Sequence, residues 1–252
     1  MKHFLCAFLV CLGLVGCKED KSKNATSAQP SKETLVIATS ADYPPFASYR
    51  DGQIVGFEID LMKAVAKRIN KEIVIKDMPF DSLIAALQTS NIELAISGFS
   101  DTSERREKVD FTAPYHKSST VLLVPNSSDI KAHDQLEGKL VGVQSGSTYE
   151  VLVQKKWKPT VPNLSVRSLS KVPELVQDLK SGRLAAIAIG KKEGADIAKA
   201  HPEFAVVDVP GTDIPYAIAL PKGSALTDSV NKALQSMKDD GTLQKIEKEW
   251  NM

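Results

Sequence analysis

Short continuous apolar runs alternate along the chain with segments whose apolar residues recur at helical spacing. Residues 35–39 (LVIAT) are the first such run; they close on small polar residues and read as a buried, parallel strand. Pro44-Pro45 fit neither a helix nor a central strand. They predict a loop presenting Tyr43 and Phe46 beside the strand's C-terminal end, where open α/β sheets form ligand crevices. Asp51-Gly52 signals a hairpin between residues 48–50 and 53–55. Leu61, Met62, Val65, Ala66 and Ile69 then share one side of a helix, and residues 72–76 read as a strand. Phe80 stands just ahead of a helix that Asp81 is expected to cap; by residue type it suits either the core or a pocket wall. Residues 93–97 (ELAIS) give another short buried strand.

The polar turn after that strand, GFSDTSER, offers Asp101 or Thr102 as the N-cap of a short helix. Ser100 then lies at the strand's C-terminal edge and Arg105 within a turn of it. Hydroxyl, backbone N–H groups and guanidinium can converge there on one small anion, for which an Arg fork on a carboxylate is the strongest polar pairing without a metal. The same stretch also reads as a solvated charge run, Arg105 and Arg106 among Glu104, Glu107 and Lys108.

The second half repeats the alternation. Residues 119–124 are extended, residues 138–143 (GKLVGV) start a strand, and the polar turn 144–149 opens a helix whose long apolar side chains are Val151, Leu152 and Trp157. Exposed N–H groups should point out of a second sheet there. The turn lacks the lysine of a phosphate loop, so nucleotide binding is not expected. Val172, Leu175, Val176 and Leu179 mark a helix ended by Gly182; strands are expected at 184–189, 204–207 and 216–220, and helices at 226–237 and 243–250. Two strand–helix–strand blocks result, near 35–120 and 125–212. Terminal helices returning to cover the first sheet would leave two connecting strands, near 121–124 and 214–218, about which the halves could close on a ligand.

Residues 1–16 stand apart. Lys2 and His3 precede an apolar segment, 4–15, that is too short to span a bilayer and suits a signal-peptide core. Removing these residues takes away Cys6 and Cys11, leaving Cys17 alone, so neither a disulfide framework nor a cysteine–metal site is expected. The run ending Leu14-Val15-Gly16-Cys17 resembles the lipobox of bacterial lipoproteins, which implies lipidation of Cys17. Residues 17–34 carry no large apolar side chain beyond that cysteine and read as a flexible tether with an r.m.s. reach of about 20–25 Å. The chain has 32 Lys+Arg against 31 Asp+Glu and no basic block, so nothing points to nucleic acid.

Several stretches together resemble a known family: ADYPPF (41–46), GFEIDL (56–61), FDSLIAAL (80–87), ISGFSDTSERREKVDFTAPY (96–115), GKLVGVQSGST (138–148), YAIALPKGS and DGTL. The chain is similar to the bacterial solute-binding proteins for polar amino acids, family 3, which serve ATP-driven importers. The resemblance implies a two-lobed α/β periplasmic-binding-protein fold of type II, with lobes joined by two hinge strands. Residues 35–120 and 215–252 would form lobe 1 and residues 121–214 lobe 2. It implies a lipid-anchored, extracytoplasmic monomer with no cofactor or metal, whose partners are an amino acid, the permease subunits of an ABC importer and the membrane.

By the same resemblance Arg105 forks to the ligand α-carboxylate, assisted by the N–H groups of Ser100 and Thr148. The Gly98 carbonyl and Ser100 hydroxyl accept from the α-ammonium, Tyr43 and Phe80 sandwich the side chain, and Gln144 lies near it. Two departures bear on the ligand. Gly190 stands where the family has an Asp for the ammonium, leaving Glu193, Glu150 or Gly98 with Ser100 to serve, or else a ligand that is not a standard α-amino acid. Ser40 stands where several binders of basic amino acids carry an Asp, and the aromatic pair could hold a guanidinium instead. The rival readings are a same-fold, dehydratase-like enzyme, a ligand sensor working through a membrane partner, and a structural lipoprotein. Neither a Ser–His–acid order nor metal-ligand spacing supports the first, and His133 and His201 read as surface residues.

Overall fold

A computed structural model describes residues 33–89 and 91–252. The segment expected to be a signal peptide, Cys17 and nearly all of the expected tether lie outside the described residues; Thr34 already belongs to a strand.

The continuous apolar runs form the interiors of two five-stranded sheets. In the first, Thr34–Thr39 runs parallel to Glu72–Asp77 on one side and to Leu94–Ala95 on the other. Ala219–Pro221 and then Val109–Phe111 complete it in antiparallel sense. In the second, Leu140–Gln144 lies between Ser165–Leu169 and Ala186–Gly190, all parallel, followed by antiparallel Thr120–Pro125 and Phe204–Asp208. The two sheets share one strand order: second, first, third, a strand from the chain crossing, then fourth. Helices cover them: Phe57–Arg68, Leu226–Asp239 and Thr242–Glu249 bury apolar stripes with the first, and Val172–Lys180 and Lys191–Ala200 with the second. This is the type II periplasmic-binding-protein architecture.

Both crossings between the sheets run through one antiparallel ribbon, His116–Ser118 with Ile214–Tyr216. The crossing expected at 121–124 is therefore displaced: those residues are interior to the second sheet, because an unbroken buried run (Val121 to Val124) is worth more covered on both faces than in a thin ribbon. The run 216–220 is not one strand; it ends the ribbon at Tyr216 and re-enters the first sheet at Ala219. Asp81 does not cap a helix, since a 3-10 turn, Phe80–Ser82, leads directly into Leu83–Gln88. The helix Thr148–Leu152 continues as a wider π-turn, Val153–Trp157, which brings Val153 and Trp157 into the core and leaves Val151 exposed.

Candidate functional site

The strand ends of both sheets face one cleft, and sequence chemistry explains what stands there. Thr102 accepts from the Arg105 N–H at 3.3 Å and so starts the one-turn helix Ser103–Arg106. That turn aims Arg105 inward while Glu104, Arg106, Glu107 and Lys108 remain exposed. The guanidinium lies 5.5 Å from the Phe80 ring centroid and 5.0 Å from that of Phe99, and these two rings are themselves stacked at 4.8 Å. One Nη donates to the Ser100 carbonyl at 2.9 Å and the other to the Gly146 carbonyl at 3.0 Å, so Arg105 ties the first sheet's loops to the second's. Burial lowers its pKa to about 10, which leaves it cationic at neutral pH.

Across the cleft, Ser147 caps its helix through the Glu150 N–H at 3.1 Å, and Thr148 meets Ser100 hydroxyl to hydroxyl at 3.3 Å. Among the described residues, neither the Ser100 nor the Thr148 N–H has a backbone acceptor. The guanidinium and the Ser100 and Thr148 residues whose N–H groups are expected to share one anion with it are thus brought together, one from each side of the cleft.

Tyr43, Phe80, Gly98, Arg105, Gln144 and Thr148 all line this cleft, joined by Ser97, Ser147 and Tyr149. The cavity they enclose has a volume of ≈ 10 Å³, about what a single water requires. Phe80 fills both of its expected roles, being buried against Phe99 and Leu83 and also forming the cleft wall. Gly98 has φ +59°, and its N–H donates to the Glu58 carboxylate at 2.7 Å, which fixes the turn. A Cβ there would press on the Tyr216 ring at 3.3 Å.

The remaining expected residues divide. Ser40 is buried away from the lining and donates to Asp42 at 2.5 Å. Glu150 turns back on its own loop, accepting from the Gly146 N–H at 2.7 Å, from Gln154 and from Ser168. Gly190 abuts Glu193, whose Oε2 would stand 2.1 Å from a Cβ at position 190. Glu193 is fully buried with no hydrogen-bond partner for either oxygen among the described residues.

Several contacts are not legible in the sequence. Asp42 crosses the cleft to accept from the Val172 N–H at 2.8 Å and from Gln144 Nε2 at 3.4 Å. Tyr149 links to Tyr43 at 3.3 Å and to Tyr216 at 2.8 Å, a chain of hydroxyls at the cleft's base. Glu58, fully buried, accepts from Tyr115 and Gly98, and burial raises its pKa to about 7. Asp42 and Glu58 sit inside stretches that carry the family resemblance, but their partners lie far along the chain, where periodicity carries no signal.

The sequence model for bacterial extracellular solute-binding proteins, family 3, matches residues 35–252. The arginine-binding extracellular protein ArtP of Bacillus subtilis is 36% identical over 252 residues, covering 98% of this chain and 95% of its own. A probable histidine-binding protein of Campylobacter jejuni is 32% identical over the full length of both. Among solved structures, an ancestral arginine-binding protein bound to arginine superposes with a TM-score of 0.83 at 38% identity, over 87% of this chain and 98% of that one. An ancestral amino-acid-binding protein described as a precursor of cyclohexadienyl dehydratase gives 0.77 at 36%, over 86% and 94%. No helix of the described residues is long and apolar enough to cross a membrane. This chain belongs to the bacterial extracellular solute-binding proteins of family 3.

Proposed function

We propose that this chain is a lipid-anchored extracytoplasmic protein that closes two lobes, 35–120 with 215–252 and 121–214, on a polar or basic amino acid. It then presents that amino acid to the permease of an ABC importer. The observation that carries the reading is Arg105, whose two bonds to carbonyls on opposite sides of the cleft leave three of its five N–H donors for a ligand.

In this reading the α-carboxylate takes those donors together with the Ser100 and Thr148 N–H groups. The Gly98 carbonyl and the Ser100 hydroxyl accept from the α-ammonium. Tyr43 and Phe80 flank the side chain, and Gln144, buried and held by Asp42 and the Ser170 carbonyl, faces its polar end. Closure removes water from each pairing, which strengthens it and makes a wrongly placed polar group costly. Cys17 holds the anchor, and the tether lets the domain swing to its partner.

The arginine- and histidine-binding relatives support the ligand class. The test is a thermal-shift screen of the purified domain against the twenty amino acids, ornithine, citrulline and small dicarboxylates. A ligand at a hundred times its Kd should add about 2.7 kcal/mol of stability and raise Tm. A screen with no shift for any amino acid contradicts the reading.

A same-fold enzyme is the second reading, favoured by the dehydratase precursor among the structural neighbours. It requires turnover. Recovery of the bound compound unchanged after prolonged incubation is the result expected of a carrier.

A further inference from the structure

Close to the Tyr43 and Tyr149 hydroxyls that reach the cleft lies a buried carboxylate with no side-chain or backbone hydrogen-bond partner among the described residues. Glu193 lies in the first turn of Lys191–Ala200 and is fully buried, with neither oxygen hydrogen-bonded among the described residues. The point where a side chain at position 190 would begin is 2.1 Å from Glu193 Oε2 and 2.8 Å from each of the Tyr43 and Tyr149 hydroxyls. Three polar groups therefore converge on one spot, and glycine at 190 is what leaves them room.

Among the described residues, no cation pairs with it. The titratable groups around Glu193 are Tyr43, Tyr149, Tyr216 and Tyr115, together with the acids Glu58 and Asp196. His116 of the ribbon rests against the Tyr216 ring, and burial keeps it neutral to lower pH than usual. Arg105, whose charge is felt by Tyr149, is bonded to the Ser100 and Gly146 carbonyls. Of the lysines beside Glu193, Lys191 pairs with Asp208 and Lys192 with Asp196. A carboxyl in such a place either keeps its proton or meets a cation from outside. Burial above all, with the nearby Glu58 and Asp196, pushes its pKa up to about 8; its own backbone N–H and then the Tyr43 hydroxyl are near enough to temper the shift without closing a hydrogen bond.

We propose that Glu193 is the counter-charge for a cationic group of the bound ligand, and that this group enters the cleft as the carboxyl proton leaves. The proposal rests on reading the cleft as an amino-acid site. In the step, the O–H bond of the neutral carboxyl breaks, its proton passes to water or buffer, and the carboxylate faces the ligand's ammonium or guanidinium; no electrons are transferred. Glu58 is a poorer candidate, because it already receives the Gly98 N–H and the Tyr115 hydroxyl.

The test is calorimetric titration at pH 6 and pH 8, with the amino acid giving the largest thermal shift, in buffers of differing ionisation enthalpy. Wild type should release up to one proton per ligand at pH 6, and its affinity should rise between the two pH values by up to about tenfold per pH unit. Glu193→Gln should abolish both effects, binding within about threefold of wild type at pH 6 and at least about tenfold more weakly at pH 8. Glu193→Asp should retain a pH slope. Wild-type affinity that is flat with pH overturns the proposal and leaves the site reading standing. So does an equal loss at both pH values in Glu193→Gln, or a slope that vanishes in Glu58→Gln and survives in Glu193→Gln. Silence from every amino acid overturns the site reading, and this proposal with it.

Discussion

Arg105 and Arg106 are adjacent in sequence and opposite in fate. Arg106 is exposed and pairs with Asp101; Arg105 turns into the cleft and stacks on two phenylalanines. A charge run thus describes four of the five residues 104–108 and fails at the one that matters, because one step along a helix rotates a side chain by about 100°. Glu193 was legible in sequence as a candidate, since its neighbour Gly190 departs from the family pattern, while Asp42 and Glu58 acquire their roles only from distant partners. The two buried glutamates carry a pH signature. Folded, they ionise near pH 7 (Glu58) and pH 8 (Glu193), against 4.5 when free. Across that interval the folded state holds protons that the unfolded state has lost, so their contribution is complete below about pH 4.5 and declines as pH rises towards 8. Denaturant titration of the ligand-free domain should show a loss on the order of a few kcal/mol between pH 5 and pH 8, smaller in Glu193→Gln. A stability that rises across this range would contradict the assignment.

At the level of elements, the sequence reading succeeded where a run of one character was long. The interior strands and the helices Phe57–Arg68, Val172–Lys180 and Leu226–Asp239 follow from apolar runs and helical spacing. It missed where a run conceals a break. YAIAL is uniformly apolar yet divides at Ala217 and Ile218 between ribbon and sheet, and the ribbon strand His116–Ser118 is too polar and short to announce itself. The short helix at Thr102 was legible because a cap is a local device. Its side chain holds the turn that aims Arg105, so Thr102→Ala should cost about 1 kcal/mol of stability and weaken ligand binding, while Thr102→Ser should restore both. Chemical denaturation beside calorimetry separates the two effects. Unchanged affinity in Thr102→Ala would mean that the cap does not position the guanidinium.

On the scale of the whole molecule, two sheets of one strand order meet through a single ribbon, and a set of polar contacts bridges them beside an apolar cluster that draws residues from both. Asp42 bonds to the Val172 N–H, Arg105 to the Gly146 carbonyl, Ser100 to Thr148, Tyr43 to Tyr149, and Lys171 pairs with Asp77. Polar contacts of this kind exchange with water at modest net cost, so halves joined in this way can part and meet again. The repeated strand order could not be read from sequence, because long-range pairing leaves no local trace. Whether one guanidinium organises the meeting of the halves can be measured. The most direct measurement is calorimetric titration of Arg105→Ala with the amino acid that stabilises the wild-type domain most. A loss of at least about 2 kcal/mol in binding free energy, with the circular dichroism spectrum unchanged, is the predicted result, since the ligand carboxylate would be left desolvated and unpaired. Wild-type affinity in that variant would contradict it.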